Sequence, residues 1–143
     1  MQKMNAAELQ AFLSADFGQV AQDFTVEHSD AQGLTLRLKI QDRHLRPGGT
    51  VSGPSMFGLV DVALYLAILA RLGPVALAVT TNCSMDFMRK PEASRDLLAK
   101  ARVLKLGRVL AVGDVMVYSE GQPNPVARAG LTYSIPPTGP RSN

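Results

Sequence analysis

The stretch VSGPSMFGLVDVALYLAILA, residues 51–70, decides the fold. A glycine–proline turn leads into a helix that is apolar on almost every side, and Asp61 is the only charged residue within 56–70. A helix of this kind must be surrounded by other elements. Because burying an ionised carboxylate without partners is costly, Asp61 must meet hydrogen-bond donors, water or a cation, or stay protonated.

The start of this helix is a second chemically useful feature. Pro54 occupies the first turn, where its missing N–H costs little, and Ser52 or Gly53 would be the cap. Free N–H groups at a helix start can stabilise a developing oxyanion, and Gly53 has no side chain to keep a ligand carbonyl away. Asp61 follows two turns later. A purely structural role for Asp61, bonded to a backbone amide or a Tyr hydroxyl, is the alternative.

The rest of the chain alternates in the manner of strands. The predicted elements are a helix over 4–16, strands over 24–30 and 34–40, the apolar helix up to about Leu72, and strands over 77–90, 96–106, 109–120 and 126–135. Short connections favour an antiparallel sheet. We therefore predict one α+β domain over 1–143, in which about six strands curl around the helix, with a disordered tail over 136–143.

Composition excludes several classes of function. The chain has 143 residues, enough for one core, and its net charge of +3 comes from scattered cations, which argues against nucleic-acid binding. One cysteine and two histidines leave no disulfide framework, and make a metal site or a Ser-His-Asp triad very unfavourable. Without a visible leader we expect a cytoplasmic protein. The apolar helix is expected to be too short to span a membrane, so no membrane partner is predicted.

Three blocks carry a family resemblance. GGTVSGPSMFGLVDVALYLAI, VTTNCSMDFMRKP and LLAKARVLKLGR, in that order, resemble the PaaI-like acyl-CoA thioesterases of the 4-hydroxybenzoyl-CoA thioesterase superfamily. The resemblance covers roughly residues 35–135. It implies the hot-dog fold, a central helix wrapped by an antiparallel sheet. It also implies an acyl-CoA substrate, no separate cofactor, and homodimers or dimers of dimers.

The resemblance also implies site roles. Asp61 matches the helix carboxylate that acts as general base or nucleophile, and Gly53 matches the glycine whose amide polarises the thioester carbonyl. In the family these two groups come from different subunits. Thr81 matches the Ser/Thr of the facing strand that orients the water or the acid.

Further residues are expected to bind substrate. Where the family commonly has His-Gly and an upstream Asn, this chain has Ser52-Gly53 and Arg46; Arg46 could bind a carbonyl or pair with Asp61. Thr50 and Ser52 are favoured as loop-capping residues over nucleophiles, with Ser52 also a ligand contact, and Phe57 with Met56 would contact the acyl group.

Cations at strand ends are candidates for the phosphates of coenzyme A, although a solvated strand end explains each equally well. They are Arg89, Lys90, Lys105 and Arg108. His44 is expected to be a solvent-accessible loop residue, and Cys83 a buried, inert thiol. Two other functions stay open: an acyl-CoA-binding protein without turnover, and an enoyl-CoA hydratase or dehydratase.

Overall fold

The computed structural model describes residues 2–74 and 77–137, and in them one long helix lies against a six-stranded antiparallel sheet. The elements are α1 (Ala6–Asp16), α2 (Gly18–Ala21), β1 (Phe24–Ser29), β2 (Leu34–Leu38), a 3₁₀ turn (Asp42–His44), α3 (Gly53–Leu72), β3 (Val79–Phe87), β4 (Leu97–Leu106), β5 (Leu110–Ser119) and β6 (Ala127–Ser134). The strand order is β1-β2-β4-β5-β6-β3. The predicted α+β hot-dog architecture is confirmed. Of the predicted tail, 138–143 lies outside the described residues.

Helix α3 is the core of the domain. The Ser52 side chain caps it by accepting a hydrogen bond from the Ser55 amide at 3.2 Å, and Gly73 ends it with a positive φ of 90°. Every residue from 63 to 70 is buried, so the helix is surrounded as its sequence requires.

The sheet approaches α3 closely because β5 carries a glycine under the helix. A Cβ at Gly113 would lie 2.4 Å from Leu64 Cδ1, closer than any real contact. The strand side chains that fill the interior are short or branched aliphatics, among them Leu36, Ala99, Val115, Val117 and Leu131. Aliphatic side chains therefore fill most of the space between α3 and the sheet, as expected for a chain with no Trp and few aromatic residues.

The two edges of the sheet differ. At the β1 edge, the Gln10 side chain of α1 donates to the Phe24 carbonyl at 3.1 Å and accepts from the Val26 amide at 2.7 Å. At the β3 edge, no element of the described chain pairs with the outer side of the strand, and the large side chains of Val79 and Phe87 are exposed. An uncovered apolar edge of this kind can pair with a strand of another chain.

An ion network ties the β1–β2 hairpin to the sheet. Arg37 lies 3.2 Å from Glu27, 3.0 Å from Asp96 and 2.9 Å from Glu120, and these hydrogen bonds raise the pKa of its guanidinium. Asp96 also accepts from the Ile40 amide at 3.0 Å. The network holds the end of β2 against the loop before β4.

The expectation that α3 is too short to cross a membrane is wrong. The helix has 20 residues, and its length and composition alone would allow it to cross a membrane. Most of its apolar window is buried inside the domain. Its hydropathy therefore matches its place as the core helix.

Candidate active site

Asp61 lies half-buried in the middle of α3, and two hydroxyl groups bind it. Thr80 Oγ1 of β3 lies 2.6 Å from Asp61 Oδ1, and Tyr133 Oη of β6 lies 2.5 Å from the same oxygen. Tyr133 Oη is also 2.6 Å from the Asp61 backbone carbonyl oxygen. These donors explain how an apolar helix tolerates an acid at this position.

The second carboxylate oxygen, Oδ2, receives no hydrogen bond from the described residues. Asp61 lines a cavity of about 360 Å³ between α3, the start of β3 and the N-terminal helices. The other side chains around this cavity are mostly apolar or aromatic. A carboxylate held through one oxygen and open at the other can accept a proton from water or attack an electrophilic carbon.

The electrostatics of the cavity keep its tyrosines neutral. Burial, followed by the hydrogen bond with Asp61, raises the pKa of Tyr133 well above its usual value. Burial and the nearby Asp16 carboxylate raise the pKa of Tyr65 to about 12. Burial and Asp61 also raise the pKa of the Cys83 thiol, which is half-buried in β3. At neutral pH Tyr133 therefore remains a proton donor to Asp61.

Thr80, rather than Thr81, makes the contact with Asp61 in this chain. The register of β3 against β6 shifts between Thr80 and Asn82. Regular alternation from Cys83 would place Thr81 on the inner face, whereas the shift places Thr80 there. Thr81 is exposed, and its hydroxyl donates to the Thr132 carbonyl at 3.3 Å. The expectation that Thr81 is the strand hydroxyl that orients Asp61 within one chain is therefore wrong, because Thr80 makes that contact. A catalytic role for Thr81 stays a prediction.

Gly53 presents an open amide at the start of α3. Pro54 has no N–H, and the amides of Ser55 and Met56 bind the Ser52 side chain and carbonyl, both at 3.2 Å. Within the described chain the Gly53 N–H has no acceptor. It is therefore a donor aimed out of the helix, available to an external oxygen.

Gly53 and Asp61 are not brought together within one chain. They are eight residues apart on α3, which is about 12 Å along the axis. At the Gly53 end the neighbouring ring is that of Phe87, with Cζ 3.5 Å from where a Cβ would be. At the Asp61 end the neighbouring strand residue is Thr80. The two candidate groups thus lie at opposite ends of β3.

The loop before α3 is held by His44. The expectation that His44 is solvent-accessible is wrong, because the residue is buried. Its Nδ1 accepts from the Gln41 amide at 2.9 Å, and its carbonyl accepts from the Ser52 amide at 2.8 Å. Its Nε2 lies 3.6 Å from an Asp23 oxygen. His44 thus anchors the loop and does not line the Asp61 cavity in the described chain.

The predicted substrate-binding residues occupy the helix start rather than the cavity. Arg46 is exposed and forms no ion pair with Asp61 in the described chain, and its amide donates to the Thr50 carbonyl at 2.8 Å. Ser52 is the helix cap. Phe57 is 43% exposed one turn before Asp61, outside the cavity lining, while Met56 is buried.

The candidate coenzyme A cations form two groups. Arg89 and Lys90 follow β3 at the Gly53 end, where Arg89 donates to the Pro125 carbonyl at 2.6 Å. Lys105 and Arg108 flank the β4–β5 turn. Strand pairing puts this turn at the Asp61 end of the sheet, because Leu110 pairs with Ser134 and Ser134 with Val79. All four cations are exposed.

Two neighbours of Asp61 were not predicted, Thr80 and Tyr133. Tyr133 was detectable, because alternation in VARAGLTYSI places it on the inner face with Ala127, Ala129 and Leu131. Thr80 was not, because its orientation depends on a shift in strand pairing that has no local signature.

A central helix wrapped by this sheet, with a hydroxyl-bound carboxylate at mid-helix, defines a hot-dog hydrolase of the thioesterase class. The sequence model of the Thioesterase superfamily matches residues 48–126, and the chain belongs to this superfamily. It is 32% identical over 91 residues to a "putative esterase" of Pseudomonas aeruginosa, covering 63% of this chain and 68% of that protein.

Solved structures agree with this assignment. A "putative thioesterase" from Silicibacter sp. TM1040 is 56% identical, with a TM-score of 0.90 over 96% of this chain and 95% of that one. A mutant of the phenylacetic acid degradation protein PaaI from Thermus thermophilus is 28% identical, with a TM-score of 0.70 over 88% of this chain and 99% of that one. The chain is a PaaI-like thioesterase.

Proposed function

We propose that the protein hydrolyses acyl-CoA thioesters to a free carboxylic acid and coenzyme A. Asp61 takes a proton from water as the water oxygen attacks the carbonyl carbon, or attacks that carbon itself and is then released by water. The C–S bond breaks, and the coenzyme A sulfur leaves and is protonated. No metal or separate cofactor is required by this scheme.

The observation that carries the proposal is the state of the Asp61 carboxylate. One oxygen is bound by two hydroxyl donors at 2.6 and 2.5 Å, and the other receives no hydrogen bond from the described residues, while Asp61 lines a mostly apolar cavity. A structural acid would be expected to use both oxygens inside the domain. The donors fix the orientation of the carboxylate without blocking the oxygen that reacts.

The oxyanion donor in this proposal is the Gly53 amide of a second copy of the chain. The uncovered edge of β3 supports this arrangement, since antiparallel pairing of two such edges would bring the Phe87 end of one copy beside the Thr80 end of the other. Gly53 lies against Phe87 and Asp61 against Thr80. Each dimer would thus carry two composite sites.

The same pairing accounts for the candidate coenzyme A cations. Arg89 and Lys90 of one copy would approach the end of the sheet where Lys105 and Arg108 of the other lie. The phosphates of coenzyme A are suitable ligands for such converging cations. Arg46, Thr50 and Ser52, near the donor amide, would contact the thioester region, as would the exposed ring of Phe57.

Release of free thiol from a panel of acyl-CoAs tests the proposal. Native protein should release thiol, and Asp61→Asn should lose most of the rate because it cannot accept the proton. Asp114→Asn is the matched control, since Asp114 is a half-buried acid outside the Asp61 cavity that pairs with Arg102 at 3.0 Å. Equal rates for native protein and Asp61→Asn would overturn the role of Asp61.

The same assay separates the two alternatives. Saturable binding of acyl-CoA without thiol release would identify a binding protein, and a change of enoyl-CoA absorbance without thiol release would identify a hydratase or dehydratase.

A further inference from the structure

The N-terminal helices supply one wall of the Asp61 cavity. Leu13 of α1, Phe17 between the helices and Val20 of α2 line it together with Asp61. All three lie before residue 48, where the match to the superfamily begins. This wall is therefore a feature of the chain that membership of the superfamily does not specify.

The wall is apolar and carries aromatic contacts. The Phe17 ring meets the Tyr65 ring edge-on with centroids 5.6 Å apart, and Tyr65 stacks on Tyr133 at 6.1 Å. Tyr133 in turn binds Asp61. A continuous row of rings thus leads from the carboxylate to Phe17 at the cavity mouth, where Phe17 and Val20 are 38% and 40% exposed.

The described residues that line the cavity carry a single charge, and that charge is negative. Asp61 is the only charged residue among its described lining residues, and the Asp16 carboxylate lies close enough to act on Tyr65. No Lys, Arg or His of the described chain lines the cavity. A group with a second carboxylate would enter this space without a cation to pair with, and at an electrostatic cost.

We propose, resting on the proposed function, that this cavity receives the acyl chain, that Phe17 and Val20 contact its far part, and that the protein selects uncharged apolar acyl groups over acyl groups ending in a carboxylate. The acyl carbonyl lies at Asp61 and the chain runs along the rings toward α2. The wall built by Leu13, Phe17 and Val20 is thus the specificity element of the site.

Two substitutions test this selectivity at exposed positions, where they do not alter the hydrophobic core. Phe17→Ala removes the apolar contact and should lower the ratio of kcat/KM for decanoyl-CoA to kcat/KM for acetyl-CoA by about tenfold, because the acetyl group does not reach the wall. Val20→Arg adds a cation and should raise the ratio of glutaryl-CoA to hexanoyl-CoA by at least about tenfold. Gln32→Arg, at an exposed position in the β1–β2 turn outside the cavity, is the control for an added surface charge.

The outcomes separate this inference from the function on which it rests. Thiol release with an unaltered acyl profile in both Phe17→Ala and Val20→Arg would overturn the inference and leave the thioesterase intact. If native protein releases no thiol, calorimetric titration with hexanoyl-CoA and glutaryl-CoA decides. Binding of hexanoyl-CoA that Phe17→Ala weakens would support the cavity assignment alone, whereas no binding, or equal binding of both esters, would overturn it.

Discussion

Two adjacent threonines on β3 provide a matched test of how Asp61 is oriented. Thr80 Oγ1 lies 2.6 Å from Asp61 Oδ1, whereas Thr81 is exposed and its Oγ1 donates to the Thr132 carbonyl at 3.3 Å. Thr→Val at either position removes a hydroxyl, keeps a β-branched shape and preserves strand propensity. The two variants therefore differ mainly in which hydroxyl is lost.

The size of the effect follows from the contact. A hydrogen bond to a charged group contributes about 1.5–3 kcal/mol, which corresponds to about 10–150-fold in rate if it is fully expressed in the transition state. Tyr133 donates to the same Asp61 oxygen and retains part of the restraint. We therefore expect Thr80→Val to lower kcat/KM about tenfold, and Thr81→Val to change it less than about twofold, as surface substitutions do.

Steady-state thiol release with one acyl-CoA measures both variants, and thermal unfolding verifies that each is folded. Tyr133→Phe alone and combined with Thr80→Val completes a double-mutant cycle, in which the combined loss should exceed the sum of the single losses because both donors serve one oxygen. A tenfold loss in Thr81→Val with normal activity in Thr80→Val would refute the reasoning. It would mean that the working hydroxyl faces a site on a second copy.

Three further predictions follow from the geometry. Gly53→Pro deletes the open amide, and Ser52, with ψ of 153°, already has the conformation that precedes proline. Its kcat should be about 100-fold or more below that of Gly53→Ala, which keeps the amide. Equal rates for the two variants would exclude the amide as the oxyanion donor. Arg37→Gln removes the cation shared by Glu27, Asp96 and Glu120 and should lower the free energy of unfolding by about 2 kcal/mol in urea titrations, with normal thiol release. No loss of stability would show that solvent can replace the network. Because Tyr65 and Tyr133 have raised pKa values in the folded chain, the unfolded chain loses these protons first above about pH 10, so the free energy of unfolding should fall as pH rises further. Tyr133→Phe should show a smaller fall, and an identical slope would contradict the burial of that hydroxyl.

The sequence predicted those features that depend on local pattern. Helix α3 was expected from its apolar run and its Ser52-Gly53-Pro54 start, and β5 and β6 end within one residue of the predicted 109–120 and 126–135. Alternation reports which face of a strand is buried, and a cap reports where a helix begins. Both are properties of a few neighbouring residues, so they can be seen without knowing the partner elements.

The missed features depend on what the chain meets in space. The position of β3 at the far edge of the sheet depends on its pairing with β6, which is distant in sequence. The register shift at Thr81 is likewise defined only by that pairing. The same is true of Phe17 and Val20, which look like ordinary apolar residues until they are placed opposite Asp61. Position along the chain identified the acid, but not the groups that hold it.

The placement of both proposed catalytic groups on α3 has a consequence for how the site is built. A rigid helix keeps Gly53 and Asp61 about 12 Å apart, so no motion of one chain can close that distance. Under the proposed function a second copy supplies the missing group, and pairing at the β3 edge would set the position of one copy against the other. Under the proposed function, the same strand would therefore set both the orientation of Asp61, through Thr80, and the approach of the partner's amide, through Phe87. If the proposal holds, the active site would form only when the two copies associate.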